Sequence, residues 1–493
     1  MAPSSSSPLF LRMLFLSPVL LGACSASVTS FTPCAENVDC RQAFGFGWGC
    51  ALNTGFCEEI TPHARCTETY PAQLFEEKDR FSEYIVFGSL FEHTDGQAYV
   101  DAISYVANQV DQGDRQPGDE APLPRIGFVH CQLEEDTQFD SLSRVEAAEE
   151  TAGWLVENLA VPAIVGPDTS SAMLRAFEST LDASDTFIIS PSATAEKLTE
   201  VDAERPGQIW RTCSGDNLQA RRIAERVKEM DVHNVAVITL RGDTYAEGVR
   251  DAFLANYEEE GVNEVSYGAS FDSTDLFQVL ADMNLSEHED VELVLFVSPS
   301  VDDNVRFVVE AANPASANFF EKHLFLADGA ASAQFVEKTG DDFQYLLGRL
   351  TGTRPVITNR DTTTNVSLLD FYVGAQVSEE NKENAYLVYT HDASWLAMYS
   401  AAWSFYQHGE ITGRGMSEGM QMVSSGPEQT SLGARQWPES LRSFVNGESI
   451  DVQGASGPLD YDPLSEETEV EIEFWTVVAT GNPDNPYGFS ILE

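Results

Sequence analysis

VPAIVGPDTSSAMLRAFESTLDASDTFIISPSATAEKLT, residues 161–199, contains two short apolar runs that each lead directly into a loop of small hydroxyl residues. The first run, Val161–Val165, stops at Gly166-Pro167, and the second, Phe187–Ile189, stops at Ser190-Pro191. A helix-length segment separates the two runs, so the stretch predicts a βαβ unit. Strands that are apolar on both faces are typical of parallel sheets covered by helices, and such sheets bind ligands beyond the carboxyl ends of their strands.

The polar residues of the first loop suit that position. Asp168, Thr169, Ser170 and Ser171 are good helix N-caps, and the start of a helix presents N–H groups and hydroxyls to an anion such as a carboxylate. Capping alone explains any single one of these residues better than ligand binding does. The loops are therefore interpreted either as caps or as half of a ligand site.

The 493 residues include 79 acidic and 28 basic side chains, which give a formal net charge of −51. This charge makes nucleic acid and anionic membrane surfaces poor partners, because both would repel the protein. With 43% hydrophobic residues, the chain can form sizeable cores in two or three domains. The composition thus indicates a globular protein with an acidic, solvated surface.

Residues 1–23 are predicted to form a signal peptide. Residues 9–23 are apolar apart from Arg12 and too few to span a bilayer as a helix. They lead into LGAC, which resembles the bacterial lipobox and implies that the chain is cleaved before Cys24 and lipidated on that cysteine. Ser25 resembles the residue found in lipoproteins sorted to an outer membrane. The alternative is an ordinary signal peptide followed by a structural cysteine; residues 24–33 are assigned as the lipid-anchor linker.

The cysteines agree with export. A small module at residues 34–66 is predicted to be held by two disulfides of undetermined connectivity, because it is too short for a core of its own. Its disulfide candidates are Cys34, Cys40, Cys50 and Cys57. Zinc is the alternative for these four cysteines, although they contain no CxxC pair. One further disulfide and one free thiol are expected among Cys66, Cys131 and Cys213.

From Tyr84 onward, apolar strand patterns alternate with helical patterns and predict an α/β fold with two doubly wound lobes. The predicted strands are 85–90, 124–131, 234–240, 291–297 and 323–327, and the predicted helices are 98–110, 143–159, 218–230 and 245–257. Residues 112–120 and 359–365 are predicted to be surface loops.

Five blocks at similar spacing and in the same order resemble signature blocks of the type I periplasmic solute-binding proteins, the branch that includes leucine-, isoleucine- and valine-binding proteins. The blocks read VPAIVGPDTSS, IISPSATAEKLT, IWRTCSGDNLQARRIA, GDTYAEGVRDAF and VQGASGPLDYDP, and the resemblance covers roughly Tyr84 to Leu492. It implies two Rossmann-like lobes joined by a multi-strand hinge. Lobe 1 is predicted to comprise residues 84–208 with 335–445, and lobe 2 residues 209–334 with 446–493.

The resemblance also implies a ligand site between the lobes. The first-lobe loops hold the α-carboxylate of an amino acid and help to bind its ammonium group through the positions Ser170, Ser192, Ala193 and Thr194. In the second lobe, Tyr245 closes over the ligand and Asp328 pairs with the ammonium group, since a buried carboxylate needs a charge partner.

Two loops depart from the family pattern. Ser298-Pro299-Ser300 stands where the amino-acid binders place a tyrosine, and the loop after the first strand reads FEHTDGQ instead of a Pro-Gly-rich turn. Glu92 and His93 in that loop are expected either to face the crevice and select a cationic or strongly polar solute, or to be exposed loop residues.

Other candidates are weighed against simpler explanations. An aromatic set could form a ligand box, but its helical spacing favours a buried helix face in the first lobe; its members are Trp395, Leu396, Tyr399, Trp403 and Phe405. Asp460 and Asp462 lack the glycine and glutamate spacing of an EF-hand, so no metal site is predicted. Arg211 is expected to serve the crossing between lobes, with anion binding as the second choice.

No catalytic motif is present, and neither enzymatic activity nor a cofactor is predicted. The sequence predicts an exported, lipid-anchored protein of the cell envelope, on the periplasmic side, that closes on a small polar solute such as an amino acid and delivers it to an ABC permease. The alternatives are a ligand-sensing subunit that docks on a membrane receptor, and a structural or regulatory lipoprotein that has lost its ligand.

Overall fold

A computed structural model describes residues 32–35, 37–51, 53–92, 96–135, 137–138, 140–203, 207–257, 261–268, 278–279, 281, 290–313, 321–379, 381–462, 465–483 and 486–492. The predicted signal peptide, Cys24 and His93 lie outside these residues. No helix in the described part of the chain has both the length and the apolar character needed to cross a bilayer.

The strands, in chain order, are β1 (Trp48–Ala51), β2 (Phe56–Glu59), β3 (Glu68–Tyr70), β4 (Ile85–Phe91), β5 (Ile126–Gln132), β6 (Ala163–Val165), β7 (Phe187–Ser190), β8 (Ile209–Arg211), β9 (Asn234–Arg241), β10 (Gly261–Gly268), β11 (Leu293–Val297), β12 (His323–Leu326), β13 (Leu350–Pro355), β14 (Gln429–Ser431), β15 (Asp451–Gln453), β16 (Ile472–Ala479) and β17 (Tyr487–Leu492). The α-helices are α1 (Asn37–Phe44), α2 (Gln97–Gln112), α3 (Arg144–Trp154), α4 (Ser170–Ser179), α5 (Glu196–Asp202), α6 (Asp216–Glu229), α7 (Thr244–Asn256), α8 (Val301–Ala312), α9 (Ala333–Thr339), α10 (Val366–Gly374), α11 (Ala385–His408), α12 (Gly413–Met420) and α13 (Trp437–Val445). The predicted strands and helices are confirmed, with most ends shifted by no more than about two residues.

Lobe 1 is built on a six-stranded sheet with the order β3-β5-β4-β6-β7-β8, in which only β3 is antiparallel. Each central strand is buried on both faces, as the apolar runs predict. In β6, for example, Ala163 and Val165 pack into one core and Ile164 packs into the other. The long helix α11 covers one face, against α2 and the strands β6 and β7.

Lobe 2 has a seven-stranded sheet with the order β10-β9-β11-β12-β13-β16-β17. The first five strands are parallel, and β16 and β17 are antiparallel to their neighbours. The alternation repeats here: Val235 and Val237 face one core, while Ala236 and Ile238 face the other. The fold prediction of two doubly wound lobes is confirmed.

The sheet order corrects three predicted boundaries. Strand β8 pairs with β7 in the first sheet, although the prediction began lobe 2 at residue 209. Strand β13 pairs with β12 in the second sheet, although the prediction returned the chain to lobe 1 at residue 335. Strand β15 pairs with β14, and Val452 packs in the lobe 1 core, although the prediction assigned residues 446–493 to lobe 2. Strands β13 and β15 were missed because LTGTRP and DVQ lack an apolar run.

Three chain crossings join the lobes: β8 to α6, β13 to α10, and β15 to β16. The first and third crossings are tied by Ser214, whose hydroxyl donates to the Val470 carbonyl oxygen over 2.9 Å. The second and third are tied by the Val356 N–H, which donates to the Glu471 carbonyl oxygen over 2.9 Å. Asp392 on α11 accepts the Ser456 N–H at 2.8 Å, which anchors the third crossing to lobe 1. These bonds form the multi-strand hinge that the resemblance implies.

The cysteine-rich segment is stapled as predicted. Two disulfides tie the hairpin of β1 and β2 to the segment before it: Cys34–Cys50 joins β1 to the residues before α1, and Cys40–Cys57 joins β2 to α1. The zinc alternative is wrong, because all four thiols are consumed. A third disulfide, Cys66–Cys131, joins the end of this segment to β5, and Cys213 is buried and unpaired.

Further contacts hold this segment on lobe 1. Arg41 donates to the carbonyl oxygen of Leu159 at the end of a π-helical turn, Leu155–Leu159. Arg65 is buried and forms an ion pair with Asp140. The segment is therefore fixed to lobe 1 by covalent and polar contacts.

Replacing both Cys66 and Cys131 by Ala should lower the free energy of unfolding by about 2–5 kcal/mol. The reason is that the disulfide closes a loop of 65 residues and restricts the unfolded chain. Urea denaturation of the two proteins measures the difference. An unchanged unfolding free energy would show that the noncovalent contacts alone fix the segment.

Candidate functional site

The two first-lobe loops meet at the carboxyl ends of β6 and β7. The Ser170 hydroxyl oxygen, in the first turn of α4, accepts the backbone N–H groups of Thr194 and Ala195, each over 3.1 Å. Ser170 thus links the two loops and keeps its own proton to donate elsewhere.

The other predicted first-lobe residues are held within the loops. The Ser192 hydroxyl donates to the carbonyl oxygen of Asp168 over 2.8 Å, and the Ala193 N–H donates to the Ser190 hydroxyl over 2.9 Å. The Thr194 hydroxyl oxygen differs, because it is buried and has no hydrogen-bond partner among the described residues. Buried polar groups are normally satisfied, so Thr194 has an open bonding position at the strand ends.

Tyr245 and Asp328 lie together in the second lobe, as the resemblance implies. Tyr245 is at the start of α7, Asp328 follows β12, and the Tyr245 hydroxyl donates to the Asp328 carboxylate. The other carboxylate oxygen accepts the hydroxyl of Tyr386, which belongs to α11 of lobe 1. Tyr386 was missed by the sequence analysis; its place next to an asparagine cap at the start of an apolar helix carries no signal of a site.

A second contact crosses between the lobes beside α4 and α7. The Ser171 hydroxyl donates to the Asp243 carboxylate over 2.8 Å and accepts the Thr244 N–H at 2.8 Å. Asp243 is also the N-cap of α7 and accepts the Ala246 N–H. Together with the Tyr386–Asp328 bond, this contact draws the lobes together at the crevice.

Asp216, the first residue of α6, is the most deeply buried carboxylate of the crevice. It is 1% exposed, and both carboxylate oxygens are without a hydrogen-bond partner in the part of the chain that the structure describes. Burial raises the pKa of Asp216 well above its usual 3.8, and the nearby Asp328 and Asp243 act in the same direction. The Thr194 hydroxyl and Arg211 oppose this rise, although Thr194 and Asp216 lack hydrogen-bond geometry.

Space for that carboxylate comes from Gly248 on α7. A Cβ atom at position 248 would lie 3.0 Å from an Asp216 carboxylate oxygen. Asp216 therefore lies between α7 and the first-lobe loop, since its backbone N–H donates to the Thr194 carbonyl oxygen over 2.8 Å.

Glu92 is partly buried, with 22% of its side chain exposed. Its carboxylate forms an ion pair with Arg144 at the start of α3. Burial raises the pKa of Glu92, and Arg144 opposes this rise. Burial also raises the pKa of Asp168, and Arg144 opposes this rise. One of the Asp168 carboxylate oxygens is buried without a hydrogen-bond partner among the described residues. The prediction of an exposed Glu92 is wrong.

Ser298 occupies the position of the family tyrosine and is 1% exposed. Its carbonyl oxygen would lie 2.2 Å from a Cβ atom at Gly329, so the two loops are in contact directly beside Asp328. Ser300 caps α8. This loop therefore brings a serine close to Asp328, whose carboxylate accepts the hydroxyls of Tyr245 and Tyr386.

The remaining candidates follow their simpler explanations. The aromatic set lies in α11 and packs in the lobe 1 core, as its spacing predicts. Arg211 forms an ion pair with Glu467 and donates to the carbonyl oxygen of Ala195. Asp462 accepts the Ser465 N–H in a tight turn.

The clearest Ser–His contact is fully buried in the lobe 1 sheet. His130 lies between Ser89 and Ser104, at 2.6 Å and 3.1 Å from their hydroxyl oxygens, and is stacked on Phe128. Its position in β5, under α2, makes it a polar group of the lobe 1 core.

Two lobes whose parallel strands end at a shared crevice define the type I periplasmic-binding-protein fold, and comparison with solved structures shows the same. The branched-chain amino acid transporter substrate binding protein LivJ from Streptococcus pneumoniae, in complex with isoleucine, is 16% identical; the alignment covers 83% of this chain and 99% of that one, with a TM-score of 0.58. A leucine binding protein from Thermotoga maritima is 15% identical over 83% of this chain and 98% of that one, with a TM-score of 0.57.

Another neighbour binds a different kind of solute. The ABC-transporter solute binding protein from Rhodopseudomonas palustris HaA2, in complex with p-hydroxybenzoic acid, is 13% identical over 83% of this chain and 96% of that one, with a TM-score of 0.60. At these identities the likeness establishes the fold.

Sequence relatives point to the same group of proteins. A Leu/Ile/Val-binding protein homolog from Brucella melitensis is 38% identical over 82 residues, which are 16% of this chain and 21% of that protein. The Leu/Ile/Val-binding protein BraC3 from Rhizobium johnstonii is 31% identical over 129 residues, 26% of this chain and 34% of that protein. The matches thus span a fifth to a third of these relatives. No model of a known protein family matches the chain.

The Asp216→Asn variant should unfold less readily than the wild type above pH 4, and the gain should grow with pH. An acid with a raised folded-state pKa keeps its proton while the unfolded chain loses it, so folding loses stability as pH rises above about 3.8. The amide removes this loss, and each unit by which folding raises the pKa corresponds to about 1.4 kcal/mol of gain at a pH above both pKa values.

Urea denaturation at pH 4 and pH 7 measures this gain. Asp251→Asn is the matched control, since Asp251 is 68% exposed on α7 and paired only with a neighbouring arginine. Equal pH dependence of all three proteins would contradict the assignment of Asp216 as a buried, unpaired carboxylate.

Proposed function

We propose that this protein is an extracytoplasmic solute-binding protein that closes its two lobes on an amino acid or a related small polar molecule. The observation that carries the proposal is the pairing of unlike groups across the crevice. The hydroxyls of Ser170 and Thr194 can donate their protons to the carboxylate of a solute, while Asp216 and Asp328 offer negative charge to an ammonium group. An amino-acid zwitterion has one group for each side.

Binding and closure follow from this division. The carboxylate of the solute binds first to Ser170 and Thr194 of lobe 1. Closure about the three crossings then brings Asp328, with the Tyr245 hydroxyl, onto the ammonium group. Because the solute contacts both lobes only in the closed state, it shifts the population toward that state by its differential affinity.

Delivery to an ABC permease is the role that the names of the relatives support, since the closed form is the species that a permease would recognise. The LGAC sequence supports a lipid anchor at Cys24, and the cysteine-rich segment would hold lobe 1 away from the lipid surface. Catalysis has no part in this proposal. The sensory role differs only in the membrane protein that recognises the closed form.

Calorimetric titration of the purified protein with the common amino acids tests the proposal. One-to-one binding of at least one of them is expected. The absence of binding by every amino acid would contradict the proposal and favour an envelope protein that has kept the fold without a ligand.

The Thr194→Val variant should bind the solute about tenfold to a hundredfold more weakly, because a hydrogen bond to a charged group contributes about 1.5–3 kcal/mol. Thr186→Val is the matched control. Thr186 is also a buried lobe 1 threonine, but its hydroxyl donates to the Val161 carbonyl oxygen and not toward the crevice. Equal affinities of the two variants for the amino acid that wild type binds would show that Thr194 does not contact it.

A further inference from the structure

The crevice has more carboxyl groups than a neutral amino acid can match. Those in it or beside it are Glu92, Glu134, Asp168, Asp216, Asp243, Asp328 and Glu467, and the cations acting on them are Arg144 and Arg211. Each arginine already has a carboxylate in an ion pair: Arg144 with Glu92, and Arg211 with Glu467. With all seven carboxylates and both arginines ionised, the formal charge of this set is −5.

Burial makes this excess of carboxylates energetically unfavourable. Asp216 is almost fully buried and unpartnered among the described residues, and Asp328 is close enough to raise its pKa. Two unit charges 4 Å apart interact by about 4 kcal/mol at an effective dielectric constant of 20, so neighbouring carboxylates repel strongly unless a cation lies between them. One ammonium group placed between two carboxylates relieves the repulsion of that pair alone.

Asp168 stands apart from that pair, in the other lobe and two residues before Ser170. Its backbone carbonyl oxygen is fixed by Ser192, and one of its carboxylate oxygens is buried without a partner in the described chain. Arg144 attracts Asp168 but forms its ion pair with Glu92. The Asp168 carboxylate is therefore placed to receive a second cation at the first-lobe wall.

A zwitterion adds no net charge to the crevice, and its own carboxylate adds to the repulsion. A solute with one more positive group matches both acidic positions. We propose that the solute is a basic amino acid, whose ammonium group binds at Asp216 and Asp328 and whose side-chain cation binds at Asp168. This inference rests on the proposed function and specifies the substrate class of the same site.

The test is a calorimetric titration of the purified protein with L-arginine, L-lysine, L-leucine and L-glutamate. We expect L-arginine or L-lysine to bind at least tenfold more tightly than L-leucine, and L-glutamate to bind weakest. Equal or tighter binding of L-leucine would overturn this inference while leaving the proposed function intact. Failure of all four to bind would contradict this inference as well, and failure of every common amino acid would defeat the proposed function.

Substitutions at Asp168 locate the second cation. The Asp168→Asn variant should bind the preferred basic amino acid at least tenfold more weakly and L-leucine within twofold of wild type. Asp168→Glu, which keeps the charge, should retain the preference, and Asp251→Asn, an exposed change of the same kind on α7, should not alter it. An unchanged preference in Asp168→Asn would overturn the assignment. Thermal unfolding of each variant distinguishes a lost contact from a lost fold.

Discussion

The burial of two carboxylates at the crevice, Asp216 and Asp328, is the constraint on which the closed arrangement depends. Asp328 accepts the hydroxyls of Tyr245 and Tyr386, one from each lobe. Asp216 has no hydrogen-bond partner among the described residues, although the charge of Arg211 acts on it. Burying an ionised carboxylate without a partner costs free energy, and this cost arises where the ends of the two sheets meet. In the proposed function, a cationic group of the solute removes this cost, and ligand binding is thereby linked energetically to closure.

The lobes can respond to that charge because their connections are few and mutually bonded. Ser214 and Val356 tie the first and second crossings to the third, which Asp392 anchors through the loop at Ser456. A group of crossings bonded in this way bends as a unit. The disulfide-stapled segment is attached to lobe 1, and in the proposed function lobe 2 rotates relative to that lobe.

The sequence alone predicted the lobes because parallel strands buried on both faces are visible as apolar runs. The site residues needed the resemblance as well: Ser170 and Thr194 by themselves are indistinguishable from helix caps. Tyr386 and Arg144 were out of reach, because each lies on a helix whose approach to the crevice is set by packing between distant segments. Asp216 resembles an ordinary acidic residue in the first turn of a helix, and only its burial distinguishes it. Strand β13 was missed because LTGTRP has no apolar run.

A crystal structure of the protein with its tightest-binding amino acid tests the central claim most directly. The account predicts the solute between the lobes, with its carboxylate within hydrogen-bond distance of the Ser170 and Thr194 hydroxyls and its ammonium group beside Asp216 and Asp328. A solute bound elsewhere, or bound in the reverse orientation with its carboxylate at Asp216, would contradict it.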